Sequence, residues 1–182
     1  RPGSSASDGL YYPHRQQLEW KRGEKFLIDG NRFIGGWIDY NACGPMIMAT
    51  PRGSDVIRDL KFTNNTIKGG TTGFYFIGTD DRSHSLTPIV SRIVFENNIF
   101  TDLDGYRVSK PHDDAVTPAY CGYPLYLHGS SETLIINHNL FDRARGTRTQ
   151  TFAFSNGRGS GLQIRNNILW YTNDQNEGQL WK

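Results

Sequence analysis

The sequence is poor in cysteine, in long apolar runs and in clustered charge, and each shortage excludes a class of protein. It has two cysteines, Cys43 and Cys121, and neither lies in a CxxC or Cys/His pattern, which argues against a structural zinc site. The two thiols allow either one disulfide or two free cysteines. No apolar run approaches the roughly 18 residues of a membrane-spanning helix. The 20 Lys and Arg residues are scattered among 18 Asp and Glu, unlike the basic stripe of a nucleic-acid-binding protein.

A convincing ten-residue helical period is also missing. The sequence begins abruptly at Arg1 and shows no signal peptide. The chain is therefore interpreted as a mature protein or a fragment. At 182 residues it is long enough to form one domain with its own core.

A hexamer with asparagine at its fourth position recurs five times along the chain. The copies are IDGNRF (28–33), FTNNTI (62–67), FENNIF (95–100), INHNLF (136–141) and IRNNIL (164–169). Five of the thirteen asparagines thus share one column: Asn31, Asn65, Asn98, Asn139 and Asn167. Apolar residues fill the columns five and three positions before this asparagine and two positions after it. Such internal repetition is typical of solenoids.

The spacing of the apolar columns predicts two strands joined by a corner. Columns two positions apart indicate a half-buried strand, but the step across the asparagine is odd and would turn the next side chain outward. A bend at the asparagine and the residue before it restores the inward direction, because Asn and Gly tolerate left-handed backbone. A further strand precedes four hexamers: MIM (46–48), FYF (74–76), LYL (125–127) and FAF (152–154). The prediction is an all-β solenoid of about five coils.

Three strands per coil and an asparagine-bearing corner resemble the right-handed, single-stranded parallel β-helix of the pectate-lyase-like superfamily. The stretches LEWKRGEKFLIDGNRF, FTNNTIKGGTTGFYFIGTDD and RIVFENNIFTDLDG are also similar to large secreted β-helix proteins of acidobacterial and related environmental bacteria. The resemblance implies that fold and a place outside a bacterial cell or on its surface. We expect a lead-in or partial first coil in residues 1–25, the parallel β-helix in 26–171, and a tail or truncated next coil in 172–182.

The five column asparagines are interpreted as structural. Each side chain is expected to hydrogen-bond backbone groups at the corner and to stack on the asparagine of the next coil. His138 occupies the position before Asn139 and is interpreted as a corner residue, not a catalytic one.

Function is expected in the two long segments that do not repeat, residues 78–91 and 101–122, because solenoid loops commonly carry it. If Phe74 and Phe76 face inward, Tyr75 faces outward and lies ~4.8 Å from Tyr126 of the next coil. Stacked tyrosines beside acidic loops suit a sugar-binding groove, with His128 at its side. The same tyrosine pair would equally stabilise the sheet.

Polysaccharide lyases of the superfamily that the chain resembles use Ca²⁺ on clustered carboxylates and a basic residue that abstracts a proton. The candidate Ca²⁺ ligands here are Asp80, Asp81, Asp102 and Asp104. The candidate bases are Lys110, Arg107 and Arg82, with His112 and His128 as further options. Asp113 and Asp114 are candidates for catalysis or for Ca²⁺ binding. Hydrolases on this fold use paired carboxylates, which the same aspartates could supply. No complete catalytic signature is present, so enzymatic activity stays open.

Two functions are therefore carried forward. The first is a secreted β-helix protein that binds or processes an extracellular polysaccharide in a groove between the two loops. The second is a non-catalytic structural or surface module, either a fragment of a longer solenoid or a unit that stacks end to end into a filament, because uncapped strand edges invite pairing. Expected ligands and partners are a polysaccharide, Ca²⁺ and further coils or copies, without nucleic acid or a membrane span.

Overall fold

A computed structural model describes residues 16–35, 45–80, 90–104, 123–128, 131–145, 152–155, 160–172 and 178–181. These residues form sixteen strands and no helix, which confirms the all-β prediction. In this part of the chain there is also no helix long and apolar enough to cross a membrane.

The first fifteen strands form three sheets, A, B and C, which the chain visits in turn. Sheet A contains β1 (Leu18–Trp20), β4 (Pro45–Ala49), β7 (Thr72–Ile77), β10 (Leu125–His128) and β13 (Phe152–Ser155). Sheet B contains β2 (Gly23–Asp29), β5 (Ile57–Thr63), β8 (Val90–Glu96), β11 (Glu132–Asn137) and β14 (Gln163–Arg165). Sheet C contains β3 (Arg32–Ile34), β6 (Thr66–Lys68), β9 (Ile99–Thr101), β12 (Leu140–Arg145) and β15 (Ile168–Thr172).

Each of these fifteen strands pairs in parallel with the strand that comes three strands earlier or later in the chain, such as β1 with β4 and β4 with β7. One passage through sheets A, B and C is called a repeat below. This topology is compatible with a parallel β-helix or solenoid, because equivalent strands of successive repeats stack in one sheet. The MIM, FYF, LYL and FAF motifs all lie in sheet A, and so does LEW of β1.

The space between the sheets is filled by the apolar columns, as the sequence predicts. Phe74 of sheet A packs edge-on against Phe62 and Phe95 of sheet B, with ring centroids 5.4 and 4.9 Å apart. Phe100 and Phe141 of sheet C stack at 4.9 Å. All five rings are fully buried, so their hydrophobic area and aromatic contacts hold successive repeats together.

Left-handed backbone recurs at three columns of the repeat. The residue before the column asparagine has φ between 52° and 67° in every repeat: Gly30, Asn64, Asn97, His138 and Asn166. This confirms the predicted corner and the role of His138 in it. A second column follows sheet C at Gly35, Gly69 and Asp102, and a third lies in the sheet B segments at Lys25, Asp59, Arg92, Thr133 and, just before β14, Gly161. The sequence did not reveal the third column, because Lys, Arg and Thr are not typical of this backbone region.

The C-terminal segment differs from a plain tail. Strand β16 (Gly178–Trp181) returns antiparallel to β15, pairing Leu169 with Trp181 and Thr172 with Gly178. Only residues 173–177 separate the two strands, which is too short for another circuit of the repeat. A short connection can join antiparallel neighbours but not parallel ones, so β16 ends sheet C with the opposite direction.

Candidate functional site

The outer face of sheet A carries a continuous row of side chains from successive repeats. Register pairs Glu19 with Met48, Met48 with Tyr75, and Tyr75 with Tyr126. These residues point outward because the neighbouring positions, such as Phe74 and Phe76, are buried in the core and side chains alternate along a strand. The row therefore places groups from four separate sequence segments on one surface.

Three tyrosines and a histidine form an aromatic cluster on this face, called the tyrosine cluster below. The rings of Tyr75 and Tyr126 stack with centroids 5.0 Å apart and 17° between planes. Tyr123 stacks on Tyr126 at 5.6 Å, and the His128 ring lies 6.3 Å from that of Tyr126. The stacking of Tyr75 on Tyr126 follows the sequence prediction, whereas the contribution of Tyr123 was not foreseen because it precedes the recognised strand.

The rings of the tyrosine cluster are less exposed than the sequence predicts for side chains on the outer face of a sheet. Tyr126 is 8% exposed and Tyr123 is 3% exposed, whereas Tyr75 and His128 are intermediate. Tyr75 and Tyr123 both stack against Tyr126. Tyr126 thus lies within the cluster, and Tyr75 is the most exposed of the three tyrosines.

A cluster of three polar side chains adjoins the row at β1 and β4. The ammonium group of Lys21 lies 2.5 Å from Oε1 of Glu19 and donates a hydrogen bond to Oγ1 of Thr50. The buried Thr50 hydroxyl in turn donates to Glu19 at 3.3 Å. Sequence reasoning missed this group, although LEW has the apolar alternation of the other sheet A strands and places Glu19 in the outward row.

The described candidate Ca²⁺ ligands do not converge. Asp80 follows β7 and accepts a hydrogen bond at 3.0 Å from the N–H of Gly53. Asp104 lies between β9 of sheet C and β10 of sheet A. Its N–H donates to the carbonyl of Gly70, just before β7. The six residues of β7 span about 20 Å, so these aspartates lie at opposite ends of sheet A.

Asp102 has a structural environment of its own. It occupies the left-handed position after sheet C, with φ 53°, and its carboxylate lies 3.2 Å from the ammonium group of Lys68 in the preceding repeat. Among the described residues no group of three or more His, Cys, Asp or Glu side chains could hold a metal ion.

Several predicted residues lie outside the described part of the chain. They are Asp81, Arg82, Arg107, Lys110, His112, Asp113 and Asp114, together with Cys43 and Cys121. Most of the two predicted groove segments, 78–91 and 101–122, is outside it as well. The assignment of these residues to catalysis, metal binding or a disulfide stays a prediction.

The column asparagines form a continuous row of hydrogen bonds through all five repeats, called the asparagine ladder below. At each step, the backbone N–H and the side-chain Nδ2 of one asparagine both donate to Oδ1 of the next. For Asn65 and Asn98 these distances are 2.9 and 3.1 Å. The Nδ2 of Asn98 also donates to the carbonyl of Phe62 at 2.8 Å. Equivalent bonds join the other asparagines of the column, so every step of this stack is held by the same contacts.

The outer side of sheet B carries charged contacts between repeats. Nε and Nη2 of Arg92 donate to the two carboxylate oxygens of Asp59 at 2.5 and 2.8 Å, which lowers the pKa of Asp59 and raises that of Arg92. Asp29 accepts hydrogen bonds from Thr63 and Asn64, which lower its pKa. Asp59 and Arg92 are both left-handed residues of sheet B, and their opposite charges meet across neighbouring strands.

Comparison with known proteins found no similarity from which a family or an activity follows. No protein-family model matches the chain. No curated protein and no solved structure matches it either.

Proposed function

We propose that this chain is a right-handed parallel β-helix that binds an extracellular polysaccharide on the outer face of sheet A. The stacked pair of Tyr75 and Tyr126 is the observation that carries the proposal. A tyrosine ring held in place by a second ring presents a rigid flat surface, and sugar rings have apolar faces that pack on such surfaces. Tyr75 is intermediate in exposure, whereas Tyr123 and Tyr126 are buried.

Glu19 lies two strands from Tyr75 along the same outward row, with Lys21 paired to it, and such polar groups suit the hydroxyl groups of a glycan. Glu19 is exposed and Lys21 is intermediate in exposure, and both lie on the face that carries Met48 and Tyr75. A small number of polar groups around an apolar platform is the usual composition of a ligand site. The Lys21 ammonium is already paired with Glu19, so the preference for a uronate-containing polysaccharide rests on the resemblance to polysaccharide lyases.

Processing of the glycan would require more than this surface. A lyase step needs a base and a cation that stabilises the carboxylate of the substrate, and a hydrolase step needs two carboxylates at a set separation. Arg107, Lys110, Asp113 and Asp114 are the candidates, with Ca²⁺ on the acidic loops. These residues lie outside the described part of the chain, and binding is the function that the described residues support.

A binding screen over uronate-containing and neutral oligosaccharides tests the proposal. Calorimetry should detect binding of at least one uronate-containing ligand, and repeating it with EDTA shows whether a divalent cation takes part. Tyr75→Ala should weaken binding by about tenfold, or ~1.4 kcal/mol, because the ring surface is lost. Tyr75→Phe should bind within about threefold of the parent protein, because it keeps the ring.

Lys61→Ala is the matched control, since Lys61 is exposed on the outer side of sheet B and should not alter binding. Thermal unfolding of each variant checks that the fold is retained. An absence of glycan binding, or equal affinities for Tyr75→Ala and Lys61→Ala, would refute the proposal.

A further inference from the structure

The asparagine ladder has a direction, and its two ends are therefore different. Each Oδ1 accepts from the asparagine of the preceding repeat, as Asn167 Oδ1 does from the N–H and Nδ2 of Asn139 at 2.9 and 3.0 Å. The residue after each asparagine donates its N–H back to the preceding asparagine carbonyl, as Ile168 does to Asn139 at 2.9 Å. Among the described residues, such a ladder leaves an Oδ1 acceptor and a backbone N–H unused at its first end, and the asparagine N–H and carbonyl unused at its last end.

The unused groups at the two ends are complementary. At the first end, Asn31 is exposed and its Oδ1 accepts no hydrogen bond within the described structure. The N–H of Arg32 has no preceding asparagine there to which it can donate. At the last end, Asn167 has no following column asparagine. In the earlier repeats, the N–H and the carbonyl of the column asparagine form hydrogen bonds to the next repeat. The Asn167 end thus offers the partners that the Asn31 end requires.

The apolar columns are also open at both ends. Phe26 and Phe33 at the first end are only partly buried, as are Leu162 and Leu169 at the last end, although all four pack against the core. Ile164, in the column of the buried Phe62 and Phe95, is 42% exposed. Within the described part of the chain, each end therefore presents a cross-section of the core that the opposite end of a second copy would cover.

The charges of the first and last residues in the column two positions before the asparagine are also complementary. Two positions before the asparagine, the first repeat has Asp29 and the last has Arg165, and both are exposed. Inside the molecule, neighbours in this column contact one another, as Thr63 does Asp29 at 2.6 Å. A further repeat stacked at the ~4.8 Å strand spacing would place Arg165 beside the carboxylate of Asp29.

We propose that a second copy of this chain stacks head to tail on the first, with the Asn167 end of one against the Asn31 end of the other, and that β16 regulates this association. Sheet C could continue only along the outer edge of β15, where β3 of the second copy would pair. Strand β16 pairs with Leu169–Thr172 along that edge, so it must be displaced before sheet C can extend. The inference does not depend on carbohydrate binding.

Opening the edge of β15 is the first test. The full chain with Gln179→Pro and Leu180→Pro removes two neighbouring N–H donors, one of which faces β15 whichever way the strand is turned. Analytical ultracentrifugation should show concentration-dependent assembly of this variant and much weaker assembly of the parent protein. A chain ending at Glu177, just before β16, provides a second way to open the edge should the proline variant fail to fold. Monomers at all concentrations, with native circular dichroism, would overturn the proposal.

Charge reversal then tests the direction of stacking in the opened variant. Asp29→Lys alone or Arg165→Glu alone should weaken association about fivefold or more, because like charges would face each other. The two changes together should restore it to within about threefold, since every interface would again contain one charge of each sign. Asn31→Ala should also weaken association, whereas Asn97→Gly, at an internal corner, should not. Failure of the double variant to recover would exclude the head-to-tail register.

Discussion

At the scale of single residues, the recurring asparagine pair divides two tasks between neighbouring positions. The first residue adopts left-handed backbone, which Gly30, Asn97 and His138 all do. The second holds the repeats together through the asparagine ladder. Asn98 is 1% exposed and all its side-chain hydrogen-bonding groups have partners, as buried polar groups require. Position, not residue type alone, thus decides what an asparagine does.

Replacing Asn98 should therefore cost far more than replacing Asn97. Asn98→Ala removes the donor to Phe62 O and the acceptor used by Asn65, and it leaves these buried groups unpaired. We expect the free energy of unfolding to fall by at least about 2 kcal/mol, measured by urea denaturation. Asn97→Gly keeps the left-handed corner and should change it by less than about 1 kcal/mol. Equal losses would argue against a stabilising ladder.

At the scale of elements, the sheet B segments contain a left-handed residue in every repeat. The register of β2 with β5 pairs Glu24 with Arg58 and Phe26 with Leu60, and Lys25 and Asp59 lie between these pairs. Such backbone costs a non-glycine residue about 1–2 kcal/mol. The strands accept this cost because the left-handed residue turns the apolar side chain that follows it back toward the core.

Thr133 is the least suited of these residues, because its β-carbon is branched and its φ is 51°. Thr133→Asn should raise the free energy of unfolding by about 0.5–1 kcal/mol, since asparagine accepts this backbone more readily. Thr66→Asn is the control, because Thr66 begins a regular strand of sheet C and asparagine is unfavourable there. Urea denaturation of both variants should give opposite signs. A loss at both positions would contradict the strain at Thr133.

The charged contacts of sheet B make stability depend on pH. Folding lowers the pKa values of Asp29 and Asp59 below their ordinary value of 3.8. The stability that these two carboxylates give to the folded state is therefore fully present above pH 3.8. It is lost as the pH falls through their lower pKa values in the folded state. The urea midpoint should drop below about pH 4, and less steeply in Asp59→Asn. Arg92→Gln should flatten the curve similarly, because it removes the partner. Curves parallel to that of the parent protein would show that the contact contributes nothing.

At the scale of the whole molecule, repeats of unequal length stack in one register. Successive column asparagines are 34, 33, 41 and 28 residues apart, yet the asparagine ladder has the same geometry at each step. The extra residues are accommodated between strands, so connections can vary without changing the stack. Head-to-tail association would extend the same arrangement beyond one chain, and β16 would set its limit.

Part of the candidate site followed from the sequence, because strand alternation fixes what faces outward. Tyr75 and Tyr126 could be paired once FYF and LYL were aligned as equivalent strands. The burial of Tyr126 and the presence of Tyr123 could not, since both depend on how the segment before β10 packs. The separation of Asp80 from Asp104 likewise depends on which end of sheet A each connection reaches.

The sequence by itself determined the local features of this protein. Apolar periodicity specified which side chains face inward, and the Gly or Asn before four of the five column asparagines specified a corner, because both effects act within a few residues. The tertiary structure alone decided the antiparallel return of β16, the left-handed column within sheet B and the contacts of Glu19, Lys21 and Thr50. These depend on register between strands from different repeats, which pairing across the sheets imposes.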